Sequence, residues 1–141
     1  MKFKHQEFYN ELKDCPPSHY SVKEILTAYR WVFEEIKDKR NFTSQYHKKP
    51  SRFLSQKDAV KCQALALSMF DNIEAASARF QALKRYIGDN IYKTLGTKIA
   101  VGKVKITDGV CSNTVQSRHF SVHPSATADF NNSFQLTQQK L

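Results

Sequence analysis

The fold class is indicated first by residues 99–111, which read IAVGKVKITDGVC. Residues with β-branched side chains cluster around Gly102, and the TDG triplet at 107–109 is a typical turn signal. We therefore expect a hairpin, with a bulge at Gly102 where the alternation shifts by one residue. The segment RHFSVH at 118–123 alternates polar and apolar residues, which predicts a third strand. Together these segments predict a small antiparallel sheet over about 98–123.

Helical patterns precede this sheet. A short helix is expected over 3–12, and the capping box SVKE at 21–24 predicts a second helix that runs to Ile36. Apolar residues then recur at helical spacing over about 56–87, up to Gly88. This pattern indicates one long helix, or two collinear helices broken near Asp71. The predicted class is α+β, with N-terminal helices followed by the sheet.

Length and composition favour one soluble domain over residues 1–141. The chain is 40% hydrophobic and 25% charged, and it has no apolar run of the ~18 residues needed to span a membrane. The N-terminus lacks the apolar core of a signal peptide, and the three cysteines form no CxxC pair. We expect a cytoplasmic protein with reduced thiols and neither metal nor cofactor. The last residues, 137–141, are expected to fray.

Positive charge is concentrated in residues 37–61, which carry eight Lys or Arg and two Asp, whereas the whole chain has a net charge of +9. Residues 38–54 look like a long basic surface loop, with aromatic residues between the cations. Cations can hold a phosphate backbone while rings stack on unpaired bases, so the segment suggests binding of RNA or single-stranded DNA. The candidate nucleic-acid-binding residues are Lys37, Lys39, Arg40, Tyr46, Lys48, Lys49, Arg52, Lys57 and Lys61.

A protein partner or a second copy of the chain is another possibility. The stripe along the predicted helix 56–87 is long for a domain of this size, so part of it could meet another subunit. Trp31, the single Trp, lies off the main stripe of its predicted helix and could anchor an interface. Internal packing is the alternative for both features.

The cluster at 118–123 suggests a different class of function, a metal-independent, toxin-like ribonuclease. On a strand, His119, Ser121 and His123 share one face, so two imidazoles could act as acid and base. Arg118 could stabilise charge on phosphorus. Four strand steps separate the two histidines by roughly 13 Å, which weighs against a shared phosphate and against a zinc ion bound by both.

The sequence thus favours a small basic binding or adaptor protein that acts without a cofactor. It would contact nucleic acid or a larger protein assembly through its basic segment. The ribonuclease is the alternative hypothesis.

Overall fold

A computed structural model describes all residues, 1–141, and its centre is a six-stranded antiparallel sheet in the order β4-β5-β2-β1-β3-β6. The α+β class is confirmed, but helices and strands are interleaved along the chain. The strands are β1 Leu26–Val32, β2 Leu67–Phe70, β3 Lys98–Val104, β4 Gly109–Cys111, β5 His119–Pro124 and β6 Gln135–Lys140. The helices are α1 Gln6–Asn10, α2 Gln45–Lys48, α3 Asp58–Leu65, α4 Ile73–Ile87, α5 Ile91–Thr94 and α6 Phe130–Ser133. Three 3-10 turns span Lys39–Phe42, Pro50–Phe53 and Ile106–Asp108.

The helix predicted from the capping box at 21–24 is wrong, because this part of the chain forms the central strand β1. All seven residues of β1 pair with β3, from Leu26 with Val104 to Val32 with Lys98. Five of the seven residues of β1 are apolar, so its pattern also satisfies helical spacing. The capping box predicts Ser21 at the start of a helix. The Ser21 backbone N–H instead donates to the Cys111 carbonyl.

The single helix over 56–87 is also wrong, because β2 interrupts it between α3 and α4. Residues of β2 pair in register with β5, from Leu67 with Val122 to Phe70 with His119. This pairing outweighs a local helical preference. No continuous helical surface is therefore available to a partner over 56–87. Gly88, with a φ of 80°, ends α4 at the predicted place.

The predicted hairpin at 99–111 does not form, although β5 is confirmed. β3 pairs with β1 and β6, whereas β4 pairs with β5. Gly102 lies in register with Ala28 without a bulge, and it is needed for another reason. A Cβ atom there would lie 2.3 Å from Cδ1 of Phe134. The C-terminal residues expected to fray form the edge strand β6.

Buried side chains lie on both faces of the sheet. The largest cluster includes Val32, Met69 and Val122 and is completed by Phe130 and Phe134 around α6. A smaller cluster of Phe70, Ala76 and Ile99 lies under α4, and Trp31 packs against it. A third unites residues of the N-terminal segment with α2 and α3: Phe3, Tyr9, Tyr46 and Leu65. Trp31 is therefore part of internal packing, and its Nε1–H donates to the Ala76 carbonyl.

The expectation of three reduced thiols is wrong for two of them, because Cys15 and Cys62 form a disulfide. Their Cα atoms are 5.7 Å apart although 47 positions separate them in sequence. Packing between the segment after α1 and α3 brings them together, and sequence spacing gives no signal of it. Cys111 is free and buried, and burial raises its pKa to about 12. None of the helices combines the length and apolar character that crossing a membrane requires.

Candidate anion-binding cavity

A cavity of about 510 Å³ opens where β1 meets the short helical turns of residues 39–53 and the end of α4. Much of the basic segment therefore folds into helical turns around a concavity and does not form an open loop. We call this space the basic cavity. Its lining includes four cations and three aromatic rings: Arg30, Arg40, Lys48, Arg52, Trp31, Phe33 and Phe53.

Arg30 lies where β1 and β2 part. These strands share a single register pair, Tyr29 with Phe70. Beyond that pair, the Arg30 Nη1–H donates to the Ser68 carbonyl at 2.8 Å and its Nε–H donates to the Asn41 carbonyl at 2.7 Å. These bonds use two of the five N–H donors of a guanidinium, so three remain for a ligand. Burial lowers the pKa of Arg30 to about 10, which leaves it charged at neutral pH.

Lys48 is a second cation without an acidic partner. It is the last residue of α2, whose N-cap is Ser44: the Ser44 hydroxyl accepts from the His47 backbone N–H at 3.2 Å. Partial burial and charge repulsion from Arg30 and Arg40 together lower the pKa of Lys48 to about 8, against a smaller opposing effect of the Asp38 charge. Repulsion between these groups would be relieved by a bound anion.

Arg40 is the one cation of the basic cavity that has a carboxylate partner. Its Nη2 lies 2.8 Å from Oδ2 of Asp38, and its guanidinium stands 3.8 Å above the centre of the Phe33 ring. Hydrogen bonds from Arg40 lower the pKa of Asp38. Arg30, Lys48 and Arg52 form no ion pair. The cavity wall is therefore positively charged.

Asn41 fixes the turn that carries Arg40. Its side chain is 1% exposed, and its Oδ1 accepts from the Phe33 backbone N–H at 2.7 Å. Its Nδ2 donates to the carbonyls of Glu35 and Ile36. This buried amide has three hydrogen-bond partners and holds the backbone of residues 33–36 against the turn that carries Arg40.

The structure brings together three of the nine predicted nucleic-acid-binding residues, Arg40, Lys48 and Arg52. Tyr46 is buried and stacks on Phe53 at 5.5 Å, so its ring cannot stack on a base. Lys37 donates to the Asn132 side chain. The remaining predicted cations do not line the basic cavity: Lys39, Lys49, Lys57 and Lys61. Among the eight cations of residues 37–61, Arg40 alone forms an ion pair.

His119 borders a second cavity of about 400 Å³, which shares Trp31, Ser68 and Leu83 with the first. Its Nε2 lies 2.9 Å from the Ser68 hydroxyl. Arg79 lines the same space, and burial together with that charge lowers the pKa of His119. His119 therefore adjoins the basic cavity.

The other members of the predicted ribonuclease cluster lie elsewhere. His123 is 0% exposed, and its Nδ1 lies 2.9 Å from the Tyr9 hydroxyl. The Ser121 hydroxyl accepts from Gln63 at 2.8 Å, and Arg118 pairs with Asp71. Because α1 covers His123, the two histidines do not share an open surface. RNA cleavage by this pair stays a prediction, tested by adding total RNA in EDTA to the wild type and to the His119→Ala and His123→Ala variants, both of which should lose cleavage.

Sequence reasoning did not assign several charged and aromatic residues of these cavities to a nucleic-acid site. They are Arg30, Trp31, Phe33 and Arg79. The first three belong to the run TAYRWVF at 27–33, in which one Arg interrupts apolar neighbours. The single Arg among these apolar neighbours was the sequence signal that could have indicated the site, because a charge in such surroundings needs a polar partner or a ligand.

No protein-family model matches the chain, and comparisons with curated proteins and with solved structures found no match.

Proposed function

We propose that this protein is a small basic binding protein that holds single-stranded nucleic acid, with one nucleotide unit seated in the basic cavity. The observation that carries this proposal is the set of three unpaired cations, Arg30, Lys48 and Arg52, on one concave wall. None of them forms an ion pair with a carboxylate of the chain, so a phosphate would be a suitable partner.

Aromatic rings beside the cations support a nucleotide over a simple inorganic anion. Trp31 and Phe53 line the basic cavity and are each only partly buried. Partly exposed rings in a cavity can contact a base, and stacking of this kind tolerates any base. A cavity of this volume accommodates a compact organic ligand. An unpaired nucleotide can enter such a space, whereas bases of an intact duplex cannot.

Arg30 is the best placed phosphate ligand. Its position is fixed by two backbone carbonyls, and its remaining N–H donors are free. A guanidinium held in this way can bind two phosphate oxygens at once. Lys48 adds a point charge whose proton is stabilised when an anion arrives.

The test is fluorescence anisotropy with a short labelled single-stranded oligoribonucleotide, titrated at several salt concentrations. Three cations that each neutralise one phosphate, of the seated nucleotide or of its neighbours in the strand, predict a slope of about −2 in log affinity against log salt, at about 0.7 per phosphate. Arg30→Gln should weaken binding at least about tenfold, since a charge-assisted hydrogen bond contributes about 1.5–3 kcal/mol. It should also make the slope shallower by about 0.7.

Arg85→Gln is the matched control, because Arg85 is exposed on α4 and does not line the basic cavity. It makes the same change in net charge and should leave affinity nearly unchanged. Equal weakening by both variants would mean that the protein attracts nucleic acid by overall charge alone. A flat salt titration would contradict the proposal altogether.

A further inference from the structure

A second cluster of chemically reactive side chains lies away from the basic cavity, beneath the N-terminal segment. The two sulfur atoms of Cys15 and Cys62 and one ring nitrogen of His123 all lie within 4.8 Å of one another. Cys15 follows α1, Cys62 belongs to α3 and His123 belongs to β5. Three separate elements therefore deliver two sulfurs and one imidazole to the same point.

His123 carries an unsatisfied polar atom in this cluster. Its side chain is completely buried, and its Nδ1 is engaged by the Tyr9 hydroxyl. Its Nε2 is buried and has no hydrogen-bond partner. Buried polar atoms are almost always paired, so an orphaned ring nitrogen calls for a partner that the oxidised chain does not provide.

We propose that the reduced chain binds a zinc ion through Cys15, Cys62 and His123, and that the disulfide is the oxidised, metal-free form of this site. Two thiolates and one imidazole are ligands that zinc prefers. Three protein ligands would leave a fourth position for water. The Tyr9 hydroxyl would accept from Nδ1–H and so leave the Nε2 lone pair directed at the metal. This is the usual role of the partner behind a ligating histidine.

The conversion between the two forms is a two-electron step. A dithiol reductant supplies two electrons and two protons, its own sulfurs join as a disulfide, and the Cys15–Cys62 bond opens to two thiols. Zinc then displaces the two thiol protons, which pass to solvent, as two Zn–S bonds form. Cys15 is only partly buried, which gives the reductant and the ion a route of entry.

The experiment measures zinc bound to the full chain after reduction with a phosphine and removal of excess metal. One zinc per chain is expected for the reduced protein and none for the oxidised protein. His123→Ala and Cys15→Ser should each abolish binding. Tyr9→Phe should weaken affinity about 10–100-fold through loss of the outer hydrogen bond. Cobalt(II) in place of zinc should give the visible absorption of a tetrahedral thiolate complex.

Two variants serve as matched controls. His119→Ala removes a histidine from the same strand, and Cys111→Ser removes the one cysteine outside the cluster. Both should retain one zinc. The disulfide still closes in oxidised His123→Ala, so circular dichroism of that form shows whether the variant folds. The proposal is overturned if the reduced wild type binds no zinc, or if folded His123→Ala binds it as tightly as the wild type.

Discussion

Lys48 shows how a single residue can couple ligand binding to pH. Its folded-state pKa of about 8 lies below the usual value of 10.5 because of burial and two neighbouring guanidinium groups. The ligand-free protein therefore loses this charge within reach of physiological pH. Between about pH 8 and 10.5 the unfolded chain binds more protons, so the Lys48 contribution to stability becomes more favourable as pH rises. Anion binding has the opposite dependence, since it needs the protonated amine.

The affinity for a single-stranded oligonucleotide should consequently fall as pH rises from about 7 to 9, through the Lys48 pKa of about 8. Lys48→Arg should flatten this dependence, because an arginine remains charged throughout. Anisotropy titrations at fixed ionic strength measure the effect. If the wild type and Lys48→Arg lose affinity in parallel, Lys48 is not the group that titrates.

At the scale of elements, the central strands β1 and β2 were the hardest to predict. β1 and β2 contain apolar residues at almost every position, and this composition satisfies helical and extended periodicity alike. β5 was predictable because its polar and apolar residues alternate. The concentration of positive charge along the sequence predicted Arg40, Lys48 and Arg52 as binding residues. Arg30 could not be predicted in this way, because its place in the cavity depends on the divergence of β1 and β2 beyond Tyr29. Local pattern thus predicted part of the basic cavity, and long-range pairing decided the rest.

β3 depends on a glycine at the point where Phe134 crosses it. Gly102→Ala would place a Cβ atom 2.3 Å from the Phe134 ring, which packs edge-on against Phe42 and Phe130. Overpacking of this kind should lower the free energy of unfolding by about 1–3 kcal/mol, measured by urea denaturation. In a double-mutant cycle with Phe134→Leu, the two changes should be non-additive by at least about 0.5 kcal/mol. Strict additivity would show that the cost at Gly102 arises elsewhere.

For the whole molecule, the Cys15–Cys62 disulfide ties the N-terminal segment to the helical layer. It closes a loop of 47 residues and so restricts the unfolded chain. It also holds α1 over β5, where the Tyr9 hydroxyl meets His123. Covalent closure and packing therefore stabilise the same face of the sheet.

Reduction in the presence of EDTA should lower the free energy of unfolding by about 2–4 kcal/mol, as expected for a loop of this length. Urea denaturation of the oxidised and reduced protein measures the difference. Cys111→Ser should show the same loss on reduction, because Cys111 takes no part in the bridge. Coincident unfolding curves before and after reduction would contradict a stabilising role for the disulfide.

The pairing of β1 with β3 has a consequence for synthesis on the ribosome. β1 ends at Val32, and β3, its partner along all seven residues, begins only at Lys98. At about 5–20 residues per second, roughly 3–13 s pass between the emergence of these two strands. During that interval β1 lacks the partner that pairs with all seven of its residues, and only β2, with a single register pair, emerges before β3. The nascent protein therefore completes its central layer only after Lys98 and the rest of β3 have emerged.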